Sequence, residues 1–73
     1  MATIEATYVQ KIGETAGQIW HHLEFVGPQK ISQIVKEIDA PRDLVMQALG
    51  WLAREEKIVV EELSRGRVVT LLQ

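Results

Sequence analysis

The sequence predicts a small α+β domain in which three helices precede a C-terminal β-hairpin. The clearest helix lies between Pro41 and Lys57, because its apolar residues recur at the spacing that places them along one side of an α-helix. Residues 58–63, 64–66 and 67–72 then follow the pattern of strand, tight turn and strand. One helix leading directly into a hairpin therefore defines the second half of the chain.

Length and composition indicate one domain over residues 1–73. The chain of 73 residues has no cysteine, which excludes disulfides and thiolate metal sites. A chain of this size buries only about 60 to 65% of its unfolded surface, so every apolar stripe is expected to join one core. The N-terminus has no signal-peptide pattern, and no apolar run approaches the roughly 18 residues that cross a bilayer. These features predict a cytoplasmic protein.

The charge balance argues against binding a polyanion through net charge alone. The formal net charge is −2 and the pI is about 5.6. Lys11 is the one basic residue before Gly27, and three of the ten acidic residues lie in the same segment. The remaining two-thirds of the chain is therefore neutral, so the placement of its charges matters more than their sum.

The first helix is predicted to end at Gly27, where glycine is followed by proline. Residues 1–7 alternate weakly and are expected to form a loose N-terminal arm or a short start to this helix. Two capping boxes have the required spacing, one beginning at Thr7 and the other at Thr15, and the earlier is favoured.

A short second helix is predicted to begin at Ser32 or its neighbour and to end near Asp39, because the residue before Pro41 is disfavoured in the α region. The segment Lys30–Ile31 has room only for a short strand between helices one and two. The predicted order is therefore helix, short strand, helix, tight turn, helix and hairpin.

This order resembles a winged helix-turn-helix domain over residues 8–72. Residues 19–23 and 48–58 also resemble a family of small stand-alone bacterial winged-helix proteins of unassigned function. The fold-level resemblance rests on the hairpin and on the apolar positions of helices two and three, which are Ile34, Val35, Ile38, Leu44, Val45, Ala48, Leu49 and Leu52.

In winged helices that bind DNA, the resemblance implies that the third helix enters the major groove while the hairpin wing touches the backbone or the minor groove. The outward face of the third helix is therefore the first surface to inspect. By helical projection, this face carries Asp43, Met46, Gln47, Gly50 and Arg54.

Five side chains are candidates for DNA contact. Arg54 suits a phosphate or a guanine edge, and Gln47 suits an adenine edge. Arg42 partly offsets Asp43 at the start of the helix. Arg65 and Arg67 flank the glycine of the wing tip, where arginine can meet a phosphate or a narrow minor groove, although a solvated turn explains them equally well. These residues predict a DNA-binding regulator of transcription.

Glutamates on the wing weaken that hypothesis. Glu61 and Glu62 precede the turn and would place negative potential within about one Debye length of a bound backbone. A single module with few phosphate contacts would also bind weakly, so a homodimer or another protein partner is expected. The likeliest dimer surface is helix one, with Tyr8, Gly13, Gly17 and Trp20.

The alternative is a winged helix that binds another protein and not DNA. Met46, Gly50 and Trp51 would supply its interface. Large aromatic side chains are mostly buried, so the favoured interpretation places Trp51 in the core. An exposed Trp51 would instead favour the protein-binding alternative.

Catalysis is the least expected function. His21 and His22 are adjacent, so their side chains diverge by about 100° on a helix and cannot share one metal. The sequence shows no glycine-rich phosphate loop and no spacing that pairs a serine with a histidine base. We therefore expect no catalytic residue, no metal site and no cofactor.

Overall fold

The computed structural model describes the backbone of residues 2–72 and the side chains of residues 8–72. Its elements have the predicted order, and the fold is a winged helix-turn-helix. They are α1 (Ala2–Val26), β1 (Gln29–Lys30), α2 (Ile31–Glu37), α3 (Arg42–Arg54), β2 (Ile58–Leu63) and β3 (Gly66–Leu71).

Helix α1 begins earlier than the sequence indicated. Its backbone is helical from Ala2, so residues 2–7 form the start of the helix, which was one of the two predicted possibilities, and not a loose arm. Met1, also assigned to that arm, lies outside the described residues. Thr15, one of the two candidate caps, lies in mid-helix, where its hydroxyl donates to the carbonyl oxygen of Lys11 at 2.8 Å. Neither capping box therefore starts α1.

The C-terminus of α3 turns the chain into the wing. The N–H of Glu56 donates to the Ala53 carbonyl at 3.0 Å and the N–H of Lys57 donates to the Leu52 carbonyl at 2.9 Å. This pair of bonds defines a Schellman motif. Glu56 has a φ of 60°, a left-handed conformation in which glycine is usual. Strand β2 begins at Ile58 immediately afterwards.

The sheet has the strand order β1-β3-β2, and both pairings are antiparallel. Leu63 pairs with Gly66 across a two-residue turn formed by Ser64 and Arg65. Gly66 has a φ of +139°, which explains why the tip of the wing needs glycine. Strand β2 is an edge strand, and five of its six residues are exposed.

All three helices and the sheet contribute to one core. The middle of α1 packs into this core, but Val9 and Val26 are 49% and 44% exposed because the other elements do not cover the ends of this long helix. Across the described residues, no helix has both the length and the apolar character that a membrane crossing requires. The core residues are Ala16, Ile19, Leu23, Ile31, Ile34, Ile38, Val45, Ala48, Leu49, Leu52, Ile58 and Val69.

Candidate nucleic-acid interface

A shallow recess of about 200 Å³ lies between the tip of the wing and the first residues of α2 and α3. Four of the residues that line it are cationic and none is acidic. We call this surface the basic recess. Its lining residues are Lys30, Ile31, Ser32, Arg42, Arg65, Gly66 and Arg67.

Three separate segments of the chain bring the cations of the basic recess together. Lys30 ends β1, where it pairs with Val68 beside the wing. Arg42 is the first residue of α3. Arg65 belongs to the turn and Arg67 to β3. The recess thus exists only in the folded chain, because the first and the last of its cations are 37 positions apart in sequence.

The four cationic side chains are exposed to solvent. Within residues 8–72, the side chains in ion pairs with carboxylates are histidines, so no carboxylate neutralises the recess by direct contact. Glu62 is the cross-strand neighbour of Arg67 and lowers the potential at one side. Since charges of one sign repel, this cluster is stabilised when an anion binds among them.

A polar network behind Lys30 ties α1, β1 and α2 together. The Nε2 atom of His22 lies 2.9 Å from Gln29 Oε1 and 2.9 Å from Glu37 Oε1. Gln29 Nε2 in turn donates to Glu37 Oε1 at 3.1 Å. Because both partners of His22 Nε2 are acceptors, this nitrogen carries a proton. The network fixes the residue next to Lys30, although the sequence analysis did not predict it.

The outward face of α3 carries less chemistry than the helical projection suggested. Asp43, Gln47, Gly50 and Arg54 are exposed there. Met46, however, is partly buried and packs against the core. Four of the five predicted positions thus face solvent, and one of those four has no side chain.

Gln47 already has a hydrogen-bond partner on α1. The Tyr8 hydroxyl donates to Gln47 Oε1 at 2.7 Å. These residues are 39 positions apart, so no local pattern could have joined them. The N-terminal half of α1 therefore borders the outward face of α3, and the carbonyl oxygen of Gln47 is held toward α1 by this bond.

Arg54 lies far from the basic recess. It ends α3 while Arg42 begins it, and twelve residues of helix rise span about 18 Å. The five predicted DNA contacts are thus divided: three meet in the basic recess, Gln47 lies at the middle of α3, and Arg54 lies at its end.

A second surface opens between α1 and the C-terminal end of α3. This α1–α3 groove has a volume of about 450 Å³. It is lined by Gly13, Ala16, Gly17, Trp20, Trp51, Leu52, Glu55 and Lys57.

Trp51 is 41% exposed. The prediction that its side chain is buried in the core is therefore wrong. The opposing positions on α1 are Gly13 and Gly17, where an added Cβ would meet nothing within 4 Å. No large side chain of α1 can therefore cover Trp51 from these positions. Of the three predicted protein contacts, Trp51 lines the groove, whereas Met46 and Gly50 do not.

Comparison with known proteins assigns the chain to a family. Residues 7–71 match the family described as winged helix-turn-helix domain (DUF2582). The chain belongs to the DUF2582 family. Every residue of the basic recess lies within the matched region of this DUF2582 domain.

Two proteins similar to this DUF2582 domain extend the comparison. The uncharacterized protein MJ1608 of Methanocaldococcus jannaschii is 45% identical over 64 residues, which cover 84% of this chain and 90% of MJ1608. The solution NMR structure of protein BT2368 from Bacteroides thetaiotaomicron has a TM-score of 0.76 at 27% identity and covers 85% of this chain and 76% of that one. Both likenesses extend over most of the DUF2582 domain.

Proposed function

We propose that this DUF2582 domain binds double-stranded DNA through the basic recess, with the N-terminal end of α3 directed to the major groove. The observation that carries the proposal is the meeting of Lys30, Arg42, Arg65 and Arg67 around one concave surface. Phosphate oxygens are the DNA groups that arginine and lysine contact most often. A cytoplasmic role in transcription, through control of access to DNA, fits such binding.

The fold indicates which part of a DNA duplex the recess would contact. In winged helices that bind DNA, one helix enters the major groove and the wing contacts the adjacent backbone. Arg42 is at the start of that helix, and Arg65 is at the tip of that wing. A phosphate at the edge of the groove would therefore lie within reach of both.

The number of cations sets the expected strength of binding. Four phosphate contacts give a slope of about −3.6 when the logarithm of the association constant is plotted against the logarithm of salt concentration. Sequence-independent binding of this type has a dissociation constant of roughly 1 to 100 µM at physiological salt. Glu61 and Glu62 weaken the binding further because they lie on the same wing.

Fluorescence anisotropy of a labelled random-sequence duplex tests the proposal. We expect micromolar binding at low salt that weakens steeply as salt is raised. The double variant Arg42→Ala with Arg65→Ala should bind much more weakly. Lys36→Ala with Lys57→Ala is the matched control, because it also removes two positive charges and both lie outside the recess. Absence of binding by the intact domain at low salt would reject DNA as the ligand.

The exposed Trp51 supports a second candidate function, binding to a second copy of this chain through the α1–α3 groove. Two copies would cover the indole rings that each chain leaves in solvent. Sedimentation velocity over a range of concentrations tests this candidate. A dimer that dissociates in Trp51→Ala would support it, whereas a monomer at all concentrations would reject it.

A further inference from the structure

We infer that this domain binds duplex DNA without selecting a base sequence. The inference rests on the proposed DNA binding and specifies its substrate class, which is B-form DNA of any sequence. It follows from which side chains of α3 can reach base edges beside the basic recess, and from what those side chains already contact.

The first turns of α3 offer few side chains for base recognition. Asp43 uses its Oδ1 atom to accept the N–H of Leu44 at 2.9 Å, and phosphates on both sides of a groove would repel its carboxylate. Met46 packs against the core. Gly50 has no side chain to offer. With Arg42 committed to a phosphate in the basic recess, base recognition by this part of α3 is left to Gln47.

The hydrogen bond from Tyr8 limits what Gln47 can recognise. A glutamine distinguishes adenine by accepting a hydrogen bond from N6 while donating one to N7. The Tyr8 hydroxyl, 2.7 Å from Gln47 Oε1, takes one of the two lone pairs of that oxygen and holds the oxygen toward α1. The amide donors of Gln47 remain, but N7 is an acceptor on both adenine and guanine. Gln47 therefore contacts purines without separating them.

Arg54 is too distant to read the same groove. Its position about 18 Å along α3 from Arg42 exceeds the width of the major groove, which is about 12 Å. Because the N-terminal end of α3 is the end directed to the groove, Arg54 at the opposite end is held away from the base edges.

The cations of the basic recess recognise a feature that all DNA sequences share. Lys30 adds a phosphate contact that the sequence analysis did not include, beside Arg42, Arg65 and Arg67. Affinity then comes from the backbone, and the differences among base sequences remain small. A reader of bases would instead lose about five- to hundredfold in affinity at each mismatched position.

The experiment is selection of duplexes from a random pool, followed by affinity measurements on selected, A·T-rich, G·C-rich and mixed duplexes. We expect all dissociation constants to agree within about threefold, and Gln47→Ala to change the affinity for every duplex by the same factor. Lys30→Ala should weaken binding to all duplexes equally and reduce the salt slope by about one unit.

The outcomes separate this inference from the proposed function. No binding to any duplex at low salt would reject DNA binding itself. Binding to a selected sequence more than about tenfold tighter than to the random pool would keep DNA binding and overturn the inference. An unchanged affinity in Lys30→Ala would remove that residue from the phosphate contacts.

Tyr8→Phe tests the reason given for Gln47. This variant removes the hydroxyl that holds Gln47 Oε1 toward α1 and leaves the ring in place. We expect its affinity for the random pool to be unchanged, while the selected sequences become enriched in adenine at one position. A selection profile identical to that of the unmodified domain would overturn the role of Tyr8, provided that circular dichroism shows both proteins folded.

Discussion

The two ends of α3 differ in chemistry, although one helix carries both. At the first end, Arg42 joins cations from β1 and the wing around the basic recess. At the second end, Trp51 borders a groove whose opposite wall contains Gly13 and Gly17. The first surface forms because positive charges from three segments lie together. The second forms because Gly13 and Gly17 of α1 have no side chains to fill the space beside Trp51.

The comparison shows why net charge alone does not predict what this chain binds. The formal net charge is −2, and the last two-thirds of the sequence is neutral. Four of the eight basic residues nevertheless meet at one recess that no acidic residue lines. Folding separates charges that are mixed in the sequence, so the charge at the recess has the opposite sign to the net charge of the chain.

The largest expected effect is a loss of fold stability when the core beneath both ends of α3 is disrupted. Ile34 is fully buried between α2 and the rest of the core, so Ile34→Ala should lower the free energy of unfolding by about 2 to 5 kcal/mol. Urea denaturation measures it, with the exposed neighbour Gln33→Ala as the control. A loss below about 1 kcal/mol would contradict the close packing of α2 against α3.

The next effect should separate the two ends. Replacing both Arg65 and Arg67 by alanine is expected to weaken DNA binding by about a hundredfold at low salt and to reduce the salt slope by up to about two units. Trp51→Ala at the other end should leave the affinity unchanged. Anisotropy titrations at several salt concentrations measure both variants. Equal losses in the two would show that the ends do not act separately.

A smaller effect is expected at the turn between α3 and the wing. Glu56 is left-handed at φ 60° while Glu55 has an ordinary φ of −81°. Glu56→Gly should therefore raise the free energy of unfolding by about 1 kcal/mol, whereas Glu55→Gly should not raise it. Thermal unfolding compares the two variants. Stabilisation by both, or by neither, would contradict the Schellman geometry.

The smallest effect sharpens the description of the α1–α3 groove. A Cβ added at Gly17 meets nothing within 4 Å, so Gly17→Ala should stabilise the isolated chain by about 0.8 to 1 kcal/mol through helix propensity. Chemical denaturation at low protein concentration measures this change. Destabilisation would mean that the chain needs glycine at this position, for example because a second copy packs there.

Local patterns predicted most of the fold. The sequence placed both strands of the hairpin and the start of the third helix within about one residue of their observed bounds, because periodicity and turn residues act over short distances. The predicted end at Lys57 was three residues too late, since α3 ends at Arg54. The helix cap predicted at Thr7 was wrong, because Thr7 has the spacing of a cap but the helix continues through it. A capping-box pattern does not report whether the segment before it is also helical.

The candidate site was harder to predict because its parts are distant in sequence. Arg42, Arg65 and Arg67 were chosen one by one, and the fold places them in one recess with Lys30. The contact of Tyr8 with Gln47 spans 39 residues, and that of His22 with Glu37 joins two helices. The exposure of Trp51 depends on what opposes it on α1, which no pattern within α3 contains.

The edge position of β2 has a consequence for how copies of this protein behave at high concentration. An edge strand presents backbone groups that can pair with the same strand of another molecule. Apart from Glu61 and Glu62, the four residues of Ile58–Leu63 are apolar. Antiparallel pairing of two such strands about their centre would make Glu61 of one copy and Glu62 of the other diagonal neighbours on one face, where their carboxylates repel. The glutamates that weaken the wing as a DNA contact therefore act as gatekeepers against aggregation.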